Sequence, residues 1–507
     1  MKRDGANKSL WQENDTYVPS VTAVTQEHYD VIIVGGGITG MITALTLQES
    51  GKKCLVAEAR SLGFGTTSGT TAHLNTFMDS TYPEIEKNFS KKDAAIICSE
   101  SKEAISLIAN NVSRFNLDCG FSSKDGFLFS KNEDETKVLD EIYEASIRAG
   151  CEVDYTGELP ITAKYEKVIV FRHQAQFEPI AYLYGITRAF EACGGKIIED
   201  CRVTGCKGSE DLEIETSQGV LIGKNLVYAT HVPPGVNLLH FRCAPYRSYV
   251  LAVELANNAY PDALIYDMEN PYHYYRTQDV NGKRYLIAGG EDHKTAHEEN
   301  THACFIQLEA HLRQLFEVSK VAYKWSSQFY QPVDGLPYIG HLPGNPSNVF
   351  TATGYNGDGM VYSHIVAKVL KDCINGISNE LTELLDPNRI KPVAGFSDFV
   401  KEAADVVGNF TAGIFDKNKI TTLAELAPGE ASMIRYDGES MAIYKDEGGV
   451  LHAVNPACTH INCKVSFNNT EQSWDCPCHG ARYDINGQML NGPARKDLKR
   501  FDLSASD

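Results

Sequence analysis

At 507 residues the chain exceeds one ordinary core, and its length calls for about three domains. With 43% hydrophobic and 22% charged residues it has a globular composition, which excludes a disordered or fibrous protein. A formal charge of −19 repels phosphate backbones and anionic lipid, so neither nucleic acid nor a membrane surface is expected as a partner.

The opening "MKRDGANKSLWQEND" is polar and mixed in charge, unlike a secretory leader. The longest apolar stretch, 31–47, is interrupted by Gly35, Gly36, Gly37 and Gly40, so no membrane span is expected. Ten of the 14 cysteines are scattered singly between Cys54 and Cys373, a pattern of reduced structural thiols. A cytoplasmic location is the expectation. The other four cysteines fall between Cys458 and Cys478.

The first element is an apolar strand at 29–34, followed by "GGGITG", a helical pattern to Gly51, and a second strand ending at Glu58. This βαβ unit carries G-x-G-x-x-G as Gly35, Gly37 and Gly40, with Ile38 and Thr39 opening the helix. Gly35 permits the tight turn, Gly37 lets backbone approach a pyrophosphate, and Gly40 lets helix and sheet pack closely. Glu58, followed by Ala59 and Arg60, is placed to accept from ribose hydroxyls. Small hydroxyl residues follow in "GTTSGTTAH", where Thr66, Thr67 and Thr70 offer hydroxyls and backbone donors.

Further along, amphipathic helices are expected at 92–114, 134–149, 179–193, 300–317 and 359–373, with strand-like segments at 224–230, 248–255 and 283–290. Before the last helix, "ATGYNGDGM" forms a glycine-rich turn containing Gly354, Asn356, Gly357 and Met360; a helix N-terminus there would favour negative charge on a reduced flavin. The stretch 384–413 is expected to hold a closing helix and connector. After Ile420, short strands punctuated by Pro428-Gly429, Asp437-Gly438 and Gly448-Gly449 mark a small β domain.

In that domain Cys458-x-His460 and Cys476-x-x-His479 provide two thiolates and two imidazoles. Two cysteines on one iron and two histidines on the other make a Rieske [2Fe–2S] centre. A Cys2His2 zinc site is the competitor, but zinc fingers group their cysteines together and their histidines together.

The stretch 28–412 resembles the D-amino-acid-oxidase-like FAD-dependent oxidoreductases, through the glycine fingerprint, "EAR" with "GTTSGTTAH", "NLVYATHVPPG", "DGLPYIG", "ATGYNGDGM" and "LLDPNRI". That resemblance implies an α/β fold: a discontinuous Rossmann-like FAD-binding domain interleaved with a mixed, mainly antiparallel substrate domain, followed here by the small all-β Rieske domain. The expected division is 26–95, 158–240 and 335–412 for FAD binding, 96–157 and 241–334 for substrate, and 418–507 for the cluster. The resemblance places Val203 near the adenine and, since Gly69 stands where a covalent-attachment motif differs, implies non-covalent FAD. The C-terminal part resembles Rieske proteins of the cytochrome bc type. This implies a Cys463–Cys478 disulfide, a covering loop at "GPARKDL" (492–498) and a sulfur-bonding Tyr483. Ala481 departs from that pattern, which usually has serine; without the hydroxyl donor a lower reduction potential is expected.

For substrate, Tyr249, Arg276 (with Tyr274 or Tyr275) and Asp334 are weak candidates, since Arg suits a carboxylate and the substrate sheet faces the flavin in this family. Asp292, His293 and His297 offer the ligand types of a mononuclear iron site, with a surface connection as the plainer reading. No second glycine fingerprint for a nicotinamide domain is visible. The leading expectation is a dehydrogenase that removes a hydride from a small amine, amino acid or related molecule and passes electrons singly through the cluster to an external acceptor. The alternatives are a reductase running the other way and a non-catalytic redox sensor or electron carrier.

Overall fold

The computed structural model describes residues 2–13, 17–20, 23–24, 27–389, 426–436 and 438–502. The expected closing helix and connector lies outside them from residue 390 onward.

One sheet is the dinucleotide-binding frame. Its parallel strands run Val349–Thr353, Gly219–Tyr228, His28–Val34, Cys54–Ala57 and Lys196–Ile198, with Tyr338–His341 antiparallel at one edge. His28–Val34 is nearly all buried because helices cover both faces, so its sequence is a continuous apolar run and shows no alternation. The helix Ile38–Glu49 follows it directly and packs on Gly359–Ile374 and Pro179–Ala192. The long helices begin or end within two residues of the expected limits.

A second sheet of nine strands is mainly antiparallel; Leu264–Asp267 beside Ser122–Ser130 is a parallel pair. Its order places Val318–Pro332, Cys243–Leu255, Lys283–Lys294 and Tyr274–Val280 side by side. The strand Lys167–Gln176 pairs with Ser122–Ser130 in this sheet, although the expected division gave 158–240 to FAD binding. It also pairs with Val153–Thr156 just before it and with His73–Leu74, and no local signal marks the exchange.

The C-terminal region folds as two four-stranded antiparallel sheets. One contains Ala431–Tyr436, Glu439–Lys445, Leu451–Val454 and Arg500–Phe501; the other contains Ser466–Asn468, Ser473–Asp475, Arg482–Asp484 and Met489–Asn491.

The polar N-terminal segment is not a loose tail, and a domain start at 26 omits it. Leu10 and Trp11 are buried, and Trp11 Nε1 donates to the Thr70 carbonyl (2.6 Å). Arg3 donates to the Ser326 carbonyl (2.5 Å) and lies 3.7 Å from Glu471. Asp4 accepts from Arg482 (3.0 Å) and from Asn491 (2.7 Å). Its charges are buried because each is matched across the junction between the two larger sheets and the C-terminal domain.

Candidate functional site

The fingerprint glycines form a cradle that no side chain can enter. A Cβ on Gly35, whose φ is +110°, would sit 2.6 Å from the Ala229 carbonyl oxygen, and one on Gly40 would sit 1.9 Å from that of Gly35. Gly37 caps the helix Ile38–Glu49 and uses no side chain to do so, leaving the helix N-terminus facing one long cavity. Glu58 borders it, accepting from the Gly36 N–H and the Arg60 N–H (2.7 Å each). Burial raises the Glu58 carboxyl above its ordinary range.

Gly35, Gly37, Ile38, Thr39, Glu58, Ala59, Thr66, Thr67, Thr70, Val203, Asn356, Gly357 and Met360 all line this cavity. Gly40 and Gly354 shape the turns behind it: Gly354 has φ +77° and a Cβ there would meet Cys243 Sγ at 3.1 Å. The threonine hydroxyls are engaged within the protein. Thr67 accepts from the Ile38 N–H (3.1 Å), Thr70 accepts from the Ala72 N–H (3.0 Å), and Thr66 donates to the Gln328 carbonyl (3.0 Å). Arg60 is not among the lining residues; it reaches the Met489 carbonyl instead (3.0 Å). A glycine cradle, a helix N-terminus opening on the cavity and an acid after the second strand are what FAD requires, and the residues present fit it.

Where the cavity meets the second sheet, three carboxylates converge. Asp79 opens onto the cavity and accepts from the Gly357 N–H (2.7 Å), while its own N–H donates to Asp358 (2.9 Å). Asp292 Oδ1 is buried with no hydrogen-bond partner. Burial pushes Asp292 up to about 7 and Asp358 well above the carboxylate range, the latter helped by repulsion from Asp79. Tyr266, Tyr272 and Tyr274 line the same end, and Tyr274 shares a hydrogen bond with Ser248 (2.9 Å). Apart from Tyr274 and Asp292, named for other reasons, sequence reasoning missed this group. No motif joins residues from four separate segments.

The three substrate candidates require correction. Ser248 and Val250 face the cavity, so Tyr249 points to the other face, where its hydroxyl meets His293 (2.9 Å) and its ring packs on Phe305. Asp334 is a structural ion pair: its carboxylate takes both arms of Arg389 (2.8 and 2.9 Å). Arg276 is fully buried, donates to the Ala72 and Phe177 carbonyls (3.3 and 3.1 Å), and lies over Trp11. Thr71 and His73 line the cavity on either side of Ala72, whose carbonyl Arg276 holds, so the guanidinium stands behind the wall. Tyr275 faces away and meets His311. The Asp292, His293 and His297 set does not assemble either: Asp292 faces the cavity, whereas His293 serves Tyr249 and the Lys294 carbonyl, and His297 the Thr295 carbonyl.

In the C-terminal domain, two loops bring Cys458, His460, Cys476 and His479 together. Backbone bonds fold each loop: Asn462 N–H donates to the Cys458 carbonyl (2.9 Å) and Gly480 N–H to that of Cys476 (3.0 Å). Cys463 and Cys478 join them by a disulfide, S–S 2.01 Å. The two imidazoles stand at right angles, centroids 4.9 Å apart. His460 Nε2 donates to the Gly235 carbonyl (3.0 Å), which only accepts, so Nδ1 keeps a free lone pair. His460 Nδ1 and both nitrogens of His479 are buried without partners, and burial with neighbouring histidines holds His479 neutral, down to about 3. Two buried thiols and two neutral imidazoles with orphaned nitrogens fit a [2Fe–2S] cluster. Tyr483 Oη lies 3.2 Å from Cys458 Sγ, the expected sulfur contact.

The two sites adjoin. Gln328 and Tyr330 line the dinucleotide cavity; Gln328 Nε2 also donates to the Gly480 carbonyl (2.9 Å) and Tyr330 Oη to that of His479 (3.3 Å). Met489, Leu490, Asn491, Gly492, Ala494 and Arg495 of the C-terminal domain close the opposite wall. His240 packs against both cluster-site imidazoles, 4.7 and 5.7 Å between centroids.

The FAD dependent oxidoreductase family matches residues 30–373, and the Rieske [2Fe-2S] domain family matches 416–502. The chain is 30% identical to the Rieske 2Fe-2S iron-sulfur protein YhfW of Bacillus subtilis (strain 168) over 98% of both chains. It is 24% identical to gamma-glutamylputrescine oxidoreductase of Escherichia coli (strain K12), over 73% of this chain and 88% of that one. Its fold is similar to that of glycine oxidase from Geobacillus kaustophilus, with a TM-score of 0.60 at 18% identity, covering 72% of this chain and 99% of that one. Among the described residues no helix is long and apolar enough to cross a membrane. With its glycine cradle and its paired Cys-His loops, the chain belongs to the FAD-dependent oxidoreductases of the D-amino-acid-oxidase type and carries a C-terminal Rieske [2Fe–2S] domain.

Proposed function

We propose that this enzyme oxidises a small amine, amino acid or related molecule at FAD and exports the electrons one at a time through its Rieske cluster to an external acceptor. Bound FAD supplies a two-electron acceptor and the cluster a one-electron carrier. The observation that carries the reading is the shared wall: Gln328 and Tyr330 border the FAD cavity and hydrogen-bond the cluster loop at Gly480 and His479. His460 and His479 are turned toward the flavoprotein, against Gly235, His240 and Phe241, which supports exchange within one chain. The names of similar proteins, gamma-glutamylputrescine oxidoreductase and glycine oxidase, support nitrogen-containing substrates.

The residues proposed to serve FAD are those of the cradle and the cavity wall, from Gly35 to Met360. Those proposed to hold the cluster are Cys458, His460, Cys476 and His479. The test is anaerobic mixing of the holoenzyme with amines and amino acids, following flavin absorbance and then the reduced-cluster EPR signal. Bleaching followed by the EPR signal is expected. In Cys476→Ser the bleaching is expected to persist while the EPR signal is lost. A bleached flavin beside a cluster that stays oxidised refutes the electron route.

A further inference from the structure

The substrate end of the cavity is rich in carboxyl and tyrosine side chains, and among the described lining residues no guanidinium or ammonium stands there. Asp79, Asp292 and Asp358 face it together with Tyr266, Tyr272 and Tyr274. Among the described lining residues the basic side chains are Arg202 and Arg495, and both lie at the far end beside the C-terminal domain. Arg202 pairs with Asp497 (3.2 Å), and Arg495 donates to the Pro234 carbonyl (3.1 Å). Arg276, which holds the carbonyl of Ala72 between the lining residues Thr71 and His73, is committed to the Ala72 and Phe177 carbonyls behind the wall.

At pH 8.5 a substrate carboxylate brought here would meet the Asp292 carboxylate and the tyrosine rings, with no bidentate partner among the described residues to offset its desolvation. A cation meets the reverse. The unpartnered Asp292 Oδ1 is an acceptor awaiting a donor, and tyrosine rings attract an ammonium through their negative faces. The backbone donors at the turn do not reverse this balance, because Asp79 already takes the Gly357 N–H.

Resting on the oxidoreductase reading above, we infer that the substrate is a cationic amine with no carboxylate on the carbon to be oxidised, held by Asp292 and the Tyr266–Tyr272–Tyr274 faces. Glycine-like and other α-amino acids are disfavoured. The specificity determinant is Asp292, combined with the absence, among the described residues, of an arginine lining this end of the cavity.

The test is binding and does not require turnover. Anaerobic holoenzyme is titrated calorimetrically at pH 8.5 with n-butylamine, tetramethylammonium, butyrate and 2-aminobutyrate. Both cations are expected to bind, with n-butylamine at least tenfold tighter than 2-aminobutyrate and no heat from butyrate. Asp292→Asn is expected to weaken n-butylamine about tenfold, and Tyr272→Leu to weaken tetramethylammonium more than it weakens 2-aminobutyrate. Butyrate or 2-aminobutyrate binding as tightly as n-butylamine overturns the inference, as does the absence of cation binding. The wild-type comparison stands even if a variant misfolds. Cation binding without flavin bleaching by any amine would leave this site intact and refute the oxidoreductase reading; bleaching by amino acids alone would do the opposite.

Discussion

Ala481 shows how one missing hydroxyl tunes a site. The residue is fully buried, and its carbonyl accepts from the Cys476 N–H (2.8 Å), so the β-carbon stands among the cluster-binding groups with no donor to offer. Ala481→Ser is expected to raise the cluster's midpoint potential. A hydrogen bond favouring the reduced form by about 1 kcal/mol corresponds to roughly 40 mV for one electron, readable by EPR-monitored redox titration. An unchanged or lower potential would mean that the hydroxyl turns elsewhere. At this scale the cluster ligands were legible because four residues of two scarce types, cysteine and histidine, stand at a characteristic spacing. The substrate-side residues were not. Tyr249 sits on a strand, Cys243–Leu255, buried on both faces, so no polar alternation tells which of Ser248, Tyr249 and Val250 meets the cavity. Arg276 and Asp334 had the right chemistry but were already committed, to two carbonyls and to Arg389.

Among the elements, the strand–turn–helix at 28–49 was the most legible, since its glycine positions are dictated by sterics that any such turn must obey. Gly35→Ala forces a β-carbon to 2.6 Å from the Ala229 oxygen at φ +110°, a strain of at least about 1–2 kcal/mol before the turn is displaced. The expected outcome is protein purified with little FAD, measured by the ratio of flavin to protein absorbance; full flavin occupancy would contradict the cradle. The helix Gly359–Ile374 was also expected where it stands, but its electrostatic role differs from a simple positive terminus. Asp358 precedes it and Asp79 lies beside that residue, so carboxylates share the field that a reduced ring would otherwise feel alone. Pairing of Lys167–Gln176 with Ser122–Ser130 and His73–Leu74 had no local signature, because such strand partners are set by long-range packing.

For the molecule as a whole, the unread feature is the junction. Three arginines, Arg3, Arg247 and Arg482, meet three carboxylates, Asp4, Glu471 and Asp475, all essentially solvent-free. Polar composition at the N-terminus gives no sign of burial; matched charges on remote segments make it possible. Burial alone would raise Asp4 and Asp475, but Arg482 beside both holds them below the usual carboxylate range. Carboxylates depressed in this way contribute stability above their unfolded value of about 4, and that contribution is lost as pH falls through the lower folded values. Asp4→Ala leaves Arg482 short of a partner and is expected to cost about 3–5 kcal/mol, read as a lower urea midpoint and faster proteolysis between the domains. A midpoint equal to wild type would show that water replaces the lost carboxylate.

Asp4 and Arg482 are 478 positions apart along the chain. During synthesis Arg3 and Asp4 emerge long before Glu471 or Arg482 exists, so this segment waits, charged and unmatched, until those residues are made. Assembly of the junction therefore follows synthesis of the C-terminal domain: a nascent chain stalled before residue 471 leaves the clasp open.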